Sequence, residues 1–272
     1  MIKLAIKSCA GVSLVFALSA FCRADPMAYV ETGAANWGTL DLTTGAYSTI
    51  HNLGSLLSGI GGYGGGYYGG VYQGSEFYSV NASAGTLNAI GNSGFTYDDT
   101  GSTTSGVYGF STSGELYSIN PLTGAASHIG ATGITVGGIV GMSSGGSNLY
   151  ITCTGGGAGG VSGADNFYVI NTSTGAATFL GITSPAAAIG AMADLSNTLY
   201  GGSDGTSRSL WTLDGSSGTP TDGGINTPLD GSFYWGLAAP TSTPEPFTMG
   251  LGMAGVGLFL RRRMKSKAAS AN

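Results

Sequence analysis

The side chains able to do chemistry are few and scattered along the chain. Gly-Met-Ser143-Ser-Gly and Gly-Gly-Ser203-Asp-Gly both match the Gly-x-Ser-x-Gly elbow of serine hydrolases, in which a strand-to-helix turn lifts the nucleophile. A chain this rich in Gly and Ser produces such matches by chance, and no helix-forming stretch follows either one. The two histidines, His51 and His128, fall at strand ends of a repeat, so no catalytic triad is expected. Residues 155–160 fit Gly-x-Gly-x-x-Gly, but they sit in a Gly tract with no helix behind them. No Lys lies between Lys7 and Lys265, which removes a P-loop, and the His and Cys residues are too few for a zinc site. Asp98-Asp99, followed by Thr100-Gly101, and Asp204-Gly205 are either loop sites for a cation such as calcium or solvated turns, and turns are expected. No catalytic, metal-binding or cofactor-binding residue is assigned. Calcium is the one cofactor the acidic loops leave open.

Charge is distributed in a way that excludes one large class of partner. Of the 9 basic residues, only Arg208 lies between Asp25 and Pro246, whereas all 14 acidic residues lie in that stretch, a net charge of −13. Binding a phosphate backbone takes several Lys or Arg side chains, so nucleic acid is excluded as a partner. A surface of this sign suits a soluble extracellular domain. Gly contributes 51 residues and Pro 8, yet 42% of residues are hydrophobic and mean hydropathy is +0.21. Such a chain can bury a core, and short strands joined by Gly-dependent turns fit it better than disorder.

One pattern recurs five times. An aromatic or apolar pair is followed by an apolar residue, then Asn or Asp, then a Gly four positions on. The Asx–Gly pairs are Asp41–Gly45, Asn81–Gly85, Asn120–Gly124, Asn171–Gly175 and Asp214–Gly218, with intervals of 40, 39, 51 and 43 between the Asx residues. Tyr117 and Ile119 alternate with Leu116 and Ser118, the period of a strand. The Asx side chain then bonds the turn backbone, and Gly supplies positive φ. Each interval has room for about four strands, the period of a β-propeller blade. The first unit lacks a first strand, and Phe233-Tyr234-Trp235-Gly236-Leu237 supplies one from the far end of the domain. The expected fold is therefore all-β, a propeller of about five four-stranded blades, with a β-sandwich or β-solenoid as alternatives.

Further readings concern single segments. Cys153 lies in an apolar run and is expected to be a small core residue. The Tyr-rich stretch 63–72 would stack on sugar rings if exposed and is core if buried; core is expected. Residues 154–164, TGGGAGGVSGA, are either a mobile binding loop or a tolerated insertion.

Both ends of the chain read as addresses. Residues 1–24 combine Lys3 and Lys7, the apolar run GVSLVFALSAF, and Cys22-Arg23-Ala24 before a cleavage point at Asp25, the layout of a Sec signal peptide. At the other end, Pro244-Glu245-Pro246 precedes an uncharged apolar stretch over 247–260, then Arg261, Arg262, Arg263 and Lys265. That stretch is shorter than the ~20 residues of a typical span, and the cations hold its end on the cytoplasmic side. The order of these three parts closely resembles the PEP-CTERM sorting signal of Gram-negative bacteria that make exopolysaccharide. The resemblance covers about the last 30 residues and carries no biochemical activity. It implies recognition by an exosortase near Pro244, Glu245 and Pro246, after export by the Sec machinery, and delivery to the cell surface or extracellular matrix.

The expected organisation is a signal peptide (1–24), a propeller-like repeat domain (25–240), a linker with the sorting motif (241–246), a short transmembrane helix (247–260) and a basic cytoplasmic tail (261–272). The expected function is a non-enzymatic binding or structural module associated with exopolysaccharide. The alternative is an extracellular polysaccharide lyase or hydrolase, which needs two or more acidic or His side chains converging at the centre of the ring.

Overall fold

A computed structural model describes residues 26–138, 140–183, 188–204, 208–226 and 230–241. The segments expected to be a signal peptide (1–24), a short transmembrane helix (247–260) and a basic tail (261–272) lie outside the described residues, as do Pro244, Glu245, Pro246, Arg261, Arg262 and Arg263. Among the described residues no helix is long and apolar enough to cross a membrane.

The described chain is a succession of antiparallel meanders. It opens with β1 (Met27–Thr32), β2 (Asn36–Asp41) and β3 (Tyr47–Asn52). Next come β4 (Leu57–Tyr63), β5 (Gly66–Val71), β6 (Glu76–Asn81) and β7 (Thr86–Asn92), then β8 (Tyr97–Thr103), β9 (Gly106–Ser111), β10 (Glu115–Ile119) and β11 (Ala126–Ala131). The following meander holds β13 (Val140–Ser144), β14 (Leu149–Cys153), β16 (Asn166–Ile170) and β17 (Ala177–Ile182), with a small side pair of β12 (Ile134–Thr135) and β15 (Gly156–Gly157). β18 (Ala188–Leu195), β19 (Thr198–Asp204), β20 (Ser209–Leu213) and β21 (Pro220–Asn226) follow, and β22 (Tyr234–Ala238) ends the series. β22 pairs with β1, so the last strand completes the first sheet in the order β22-β1-β2-β3, as its sequence anticipated.

The repeated sequence unit explains each meander's outer half. In all five copies the Asx Oδ1 accepts the backbone N–H two residues on, at 2.8–3.2 Å. The Gly four positions later donates its N–H to the Asx carbonyl at 2.6–2.8 Å with φ between +61° and +83°, a conformation that side chains resist. The apolar pair before the Asx marks a bulge. Register shifts at Trp37/Gly38, Phe77/Tyr78, Leu116/Tyr117, Phe167/Tyr168 and Leu210/Thr212, so the same irregularity recurs in every outer hairpin. A bulge adds twist, and the first residue of each pair stays within 3% of full burial.

Five apolar clusters hold neighbouring meanders together, and each draws from two successive ones. Trp37 meets Leu57, Ile60 and Tyr67; Phe77 meets Tyr97 and Val107; Phe110 and Leu116 meet Met142 and Ile151. Phe167 meets Met192 and Leu199, and Leu210 with Ala191 closes onto Val30 and Leu237. The innermost strands abut in the same cycle: β22, β4, β8, β13, β18 and back to β22. A sandwich or a solenoid does not close on itself in this way. The architecture is all-β and propeller-like.

The innermost strands approach one another closely. A Cβ on Gly61 would stand 2.7 Å from the Gly101 carbonyl oxygen, and one on Gly101 would stand 2.5 Å from the Ser143 carbonyl oxygen. One on Gly141 would meet the Ile189 carbonyl oxygen at 2.8 Å, and one on Gly236 would meet Ile60 at 2.8 Å. Between β13 and β18 the approach becomes a parallel backbone pairing, Ser143 with Met192 and Ser144 with Ala193. Gly101→Ala is expected to cost about 1–3 kcal/mol by forcing β8 from β13. Gly106→Ala, whose new methyl has no neighbour nearer than 3.8 Å, is expected to leave stability within about 0.5 kcal/mol. Denaturant unfolding followed by Trp fluorescence separates the two; equal loss in both variants would refute the close-approach account.

Candidate functional site

The innermost strands run in one direction, so their first residues converge at one end of the axis. There they enclose a cavity of about 260 Å³ lined by Tyr72, Asp98, Asp99, Val140, Tyr234 and Trp235, with Gly residues between them. One wall is aromatic. Tyr72 meets Trp235 edge to face, with centroids 4.9 Å apart at 88°, and Phe233 also packs on Trp235, with centroids 5.6 Å apart. The Trp235 indole N–H donates to the Leu57 carbonyl, which fixes the ring's direction.

Two acidic residues, Asp98 and Asp99, also line the cavity. Asp99 is 2% exposed, and both of its oxygens are engaged: Oδ1 accepts the Thr100 N–H at 2.6 Å and Oδ2 the Met142 N–H at 2.7 Å, tying β8 to β13. Space for it comes from Gly59, where a Cβ would fall 1.7 Å from Asp99 Oδ1. Glu31, wholly buried on β1, plays a similar part by accepting the Leu57 N–H at 2.8 Å, while its Oε2 has no partner. Asp98 differs from both: it is partly exposed at the cavity, and its buried Oδ2 has no hydrogen-bond partner.

Burial sets the protonation of all three carboxyls. It raises Glu31 and Asp99 well above the ordinary range, opposed by their backbone N–H donors and reinforced by the neighbouring acid. Burial alone pushes Asp98 up to about 6. A carboxyl raised on folding keeps its proton where the unfolded chain has lost it, so it weakens the fold as pH rises from about 4 through its folded value.

A second cavity of about 490 Å³ opens where the same strands end, beside Tyr63, Thr103, Gly145, Asp194, Pro240 and Thr241. Thr241, the last described residue, donates its N–H to the Tyr67 hydroxyl at 3.0 Å. The C-terminal exit is thus at the opposite end of the axis from Asp98. Between the two mouths, Ser102 Oγ donates to the Gly62 carbonyl and Ser144 Oγ accepts the Gly62 N–H, both at 2.9 Å.

The remaining sequence candidates fall elsewhere. Ser143 and Ser203 are wholly buried, and their hydroxyls accept the backbone N–H groups of Tyr150 and Ser209, so neither is a presented nucleophile. His128 sits on an outer strand, 2.7 Å from Glu115, and neither histidine lines the axial cavity. Cys153 is 1% exposed within an apolar cluster and accepts the Gly155 N–H. Tyr67 is core against Tyr29 and Trp37, Tyr68 stacks on Phe77, and Tyr72 alone of that stretch reaches the axial cavity. The Asp204 side chain lies outside the described residues. Among the described residues no three His, Cys, Asp or Glu side chains are grouped to hold a metal ion.

Asp98-Asp99 were expected in a loop or turn, and here the structure corrects the sequence reading. They lie on innermost strand β8, next to a bulge between Tyr97 and Asp99, because the polar run YDDTGST occupies the first-strand position of its repeat. Aligning the repeats backward from Leu116 to that strand would have found them. Glu31 had no signal beyond its place on a short apolar strand. The stretch 154–164 is neither bare nor unanchored. The wholly buried Asn166 amide donates to the carbonyls of Gly155, Val161 and Ala164 at 2.9–3.1 Å and accepts the Val161 N–H at 2.7 Å.

No family model and no curated protein matches the sequence. Among solved structures, a chain of a nidogen/laminin complex is similar over 80% of this chain and 98% of its own, at 10% identity and TM-score 0.54. A glutaminyl cyclase from Myxococcus xanthus overlaps 70% of this chain and 78% of its own, at 11% identity and TM-score 0.46. A protein of unknown function from Bacteroides thetaiotaomicron overlaps 73% and 50%, at 15% identity and TM-score 0.43. At such identities a likeness concerns fold alone, and the nidogen-complex chain agrees with a propeller-like ring.

Three substitutions test this geometry. Asp98→Asn is expected to be about 1–2 kcal/mol more stable than the parent near pH 7.5 and equal to it near pH 4. Asp99→Asn is expected to lose about 1–3 kcal/mol, because an amide nitrogen cannot accept a backbone N–H. Urea melts across that pH range read both, and a pH-independent effect of Asp98→Asn would contradict the raised carboxyl. Asn166→Ala is expected to cost about 2–3 kcal/mol and to open residues 155–164 to limited proteolysis, scored by mass spectrometry; an uncut loop would remove Asn166 as its clamp.

Proposed function

We propose that this chain is an exported propeller of five blades that acts as a non-enzymatic binding platform, with the axial cavity as its site and a polysaccharide as its partner. The cavity carries the reading. The aromatic pair Tyr72 and Trp235 shares the lining with one available carboxylate, Asp98, the composition that grips a ring with apolar faces and polar edges. Hydrolysis of a glycosidic bond ordinarily uses two free carboxyls on either side of it. Here Asp99 is held by two backbone donors and Glu31 is wholly buried, which favours binding over the lyase or hydrolase alternative.

The five-blade count is supported by the strand cycle and by the five apolar clusters between successive meanders. Export rests on residues 1–24, and surface or matrix delivery by an exosortase rests on Pro244-Glu245-Pro246 and the Arg261, Arg262 and Arg263 cluster. The exit of Thr241 at the opposite end of the axis fits this arrangement, since a domain tethered through that end presents the Asp98 cavity away from the membrane.

The protein is expected to bind exopolysaccharide from producing cells without releasing new reducing ends, and Tyr72→Ala to weaken that binding by about tenfold. Sedimentation with the polymer and a reducing-end assay measure the two. Release of oligosaccharide would establish the enzyme instead, and absence of co-sedimentation would remove the polysaccharide. Intact mass of protein recovered from native cells tests the sorting: loss of residues 247–272 is expected, and a retained tail would leave a plain anchor.

A further inference from the structure

We propose that the axial cavity selects a sugar carrying a free ammonium group, a hexosamine that is not N-acetylated, seated between the Tyr72–Trp235 wall and Asp98. This rests on the binding function proposed above and names the ligand class. Three observations converge on it.

The first is an unmatched charge. Asp98 Oδ2 is buried without a partner. Among the described residues no basic side chain lines the cavity: Arg208, the one basic residue between Asp25 and Pro246, bonds the Gly231 carbonyl. The other carboxyls nearby, Asp99 and Glu31, bring no positive charge to it. The counter-charge therefore has to arrive with the ligand, and uronic or sulfated sugars are repelled.

The second is the aromatic pair in the same lining. Indole and phenol rings present negative π faces that attract a cation and suit the C–H face of a pyranose. The third is size. At about 260 Å³ the cavity has room for roughly one sugar ring, so recognition falls on a single residue of a polymer. A metal ion fits less well, since calcium takes six or more oxygens and, among the described residues, no three His, Cys, Asp or Glu side chains are placed to hold one.

Calorimetry on the full-length protein in mild detergent tests the proposal, at about pH 6.5. The probes are a β-linked glucosamine tetramer, its N-acetylated form and a glucose tetramer of the same linkage. The free-amine tetramer is expected to bind at least about tenfold more tightly than the other two, and Asp98→Asn to abolish that preference. Equal binding of all three, or a preference that survives Asp98→Asn, overturns the inference. The platform reading would then still stand, provided Tyr72→Ala weakens all three. If no tetramer binds, the inference falls, and co-sedimentation with the native polymer decides the platform reading. Unfolding curves for the two variants exclude loss of fold as the cause.

Discussion

The structure depends on how closely its innermost strands approach around the axis. β22, β4, β8, β13 and β18 meet backbone to backbone, and at Gly61, Gly101, Gly141 and Gly236 a single methyl group would stand under 3 Å from the next strand. A ring of few sheets is narrow at its centre, and close-packed interiors do not absorb an extra atom without displacing neighbours. Closure of the ring thus accounts for Gly at these four positions. The same narrowness explains why Ser102 and Ser144, rather than larger side chains, occupy the axis.

The outer half of each meander solves a different problem with one device. The Asx turn closes the outer hairpin, and it also serves as a contact for the meander before it. A Cβ on Gly91 would strike the Thr123 carbonyl, one on Gly130 the Thr174 carbonyl, and one on Gly181 the Ser217 carbonyl. These three turns therefore rest against the outermost strand of the preceding meander, while the apolar clusters fill the space between. Local turn chemistry and long-range assembly use the same residues, which is why the repeat survives in spacing while its side chains vary between Asn and Asp.

Against this background the buried carboxyls are a cost the ring carries at one mouth. Asp99 and Glu31 repay it by bonding backbone N–H groups that adjoining strands leave unpaired, at Thr100, Met142 and Leu57. Asp98 does not. A side chain that weakens the fold above pH 4 and holds nothing together is the feature that sets this cavity apart from the rest of the ring.

The sequence by itself determined the units: the Asx–Gly turn spacing, the strand before it, and the completion of the first sheet by residues 233–237 are all local signals of fixed period. It also left the central chain without the Lys of a P-loop and with too few His and Cys for a zinc site. The candidate site was not legible. Asp98 and Asp99 read as a turn because two adjacent acids followed by Thr and Gly are usually solvated, and only closure of the ring turns that segment into an innermost strand. Tyr72 and Trp235 lie 163 positions apart, and Glu31 and Leu57 on different strands. Their meeting is set by the order in which meanders pack around an axis, a long-range property that no window of sequence contains.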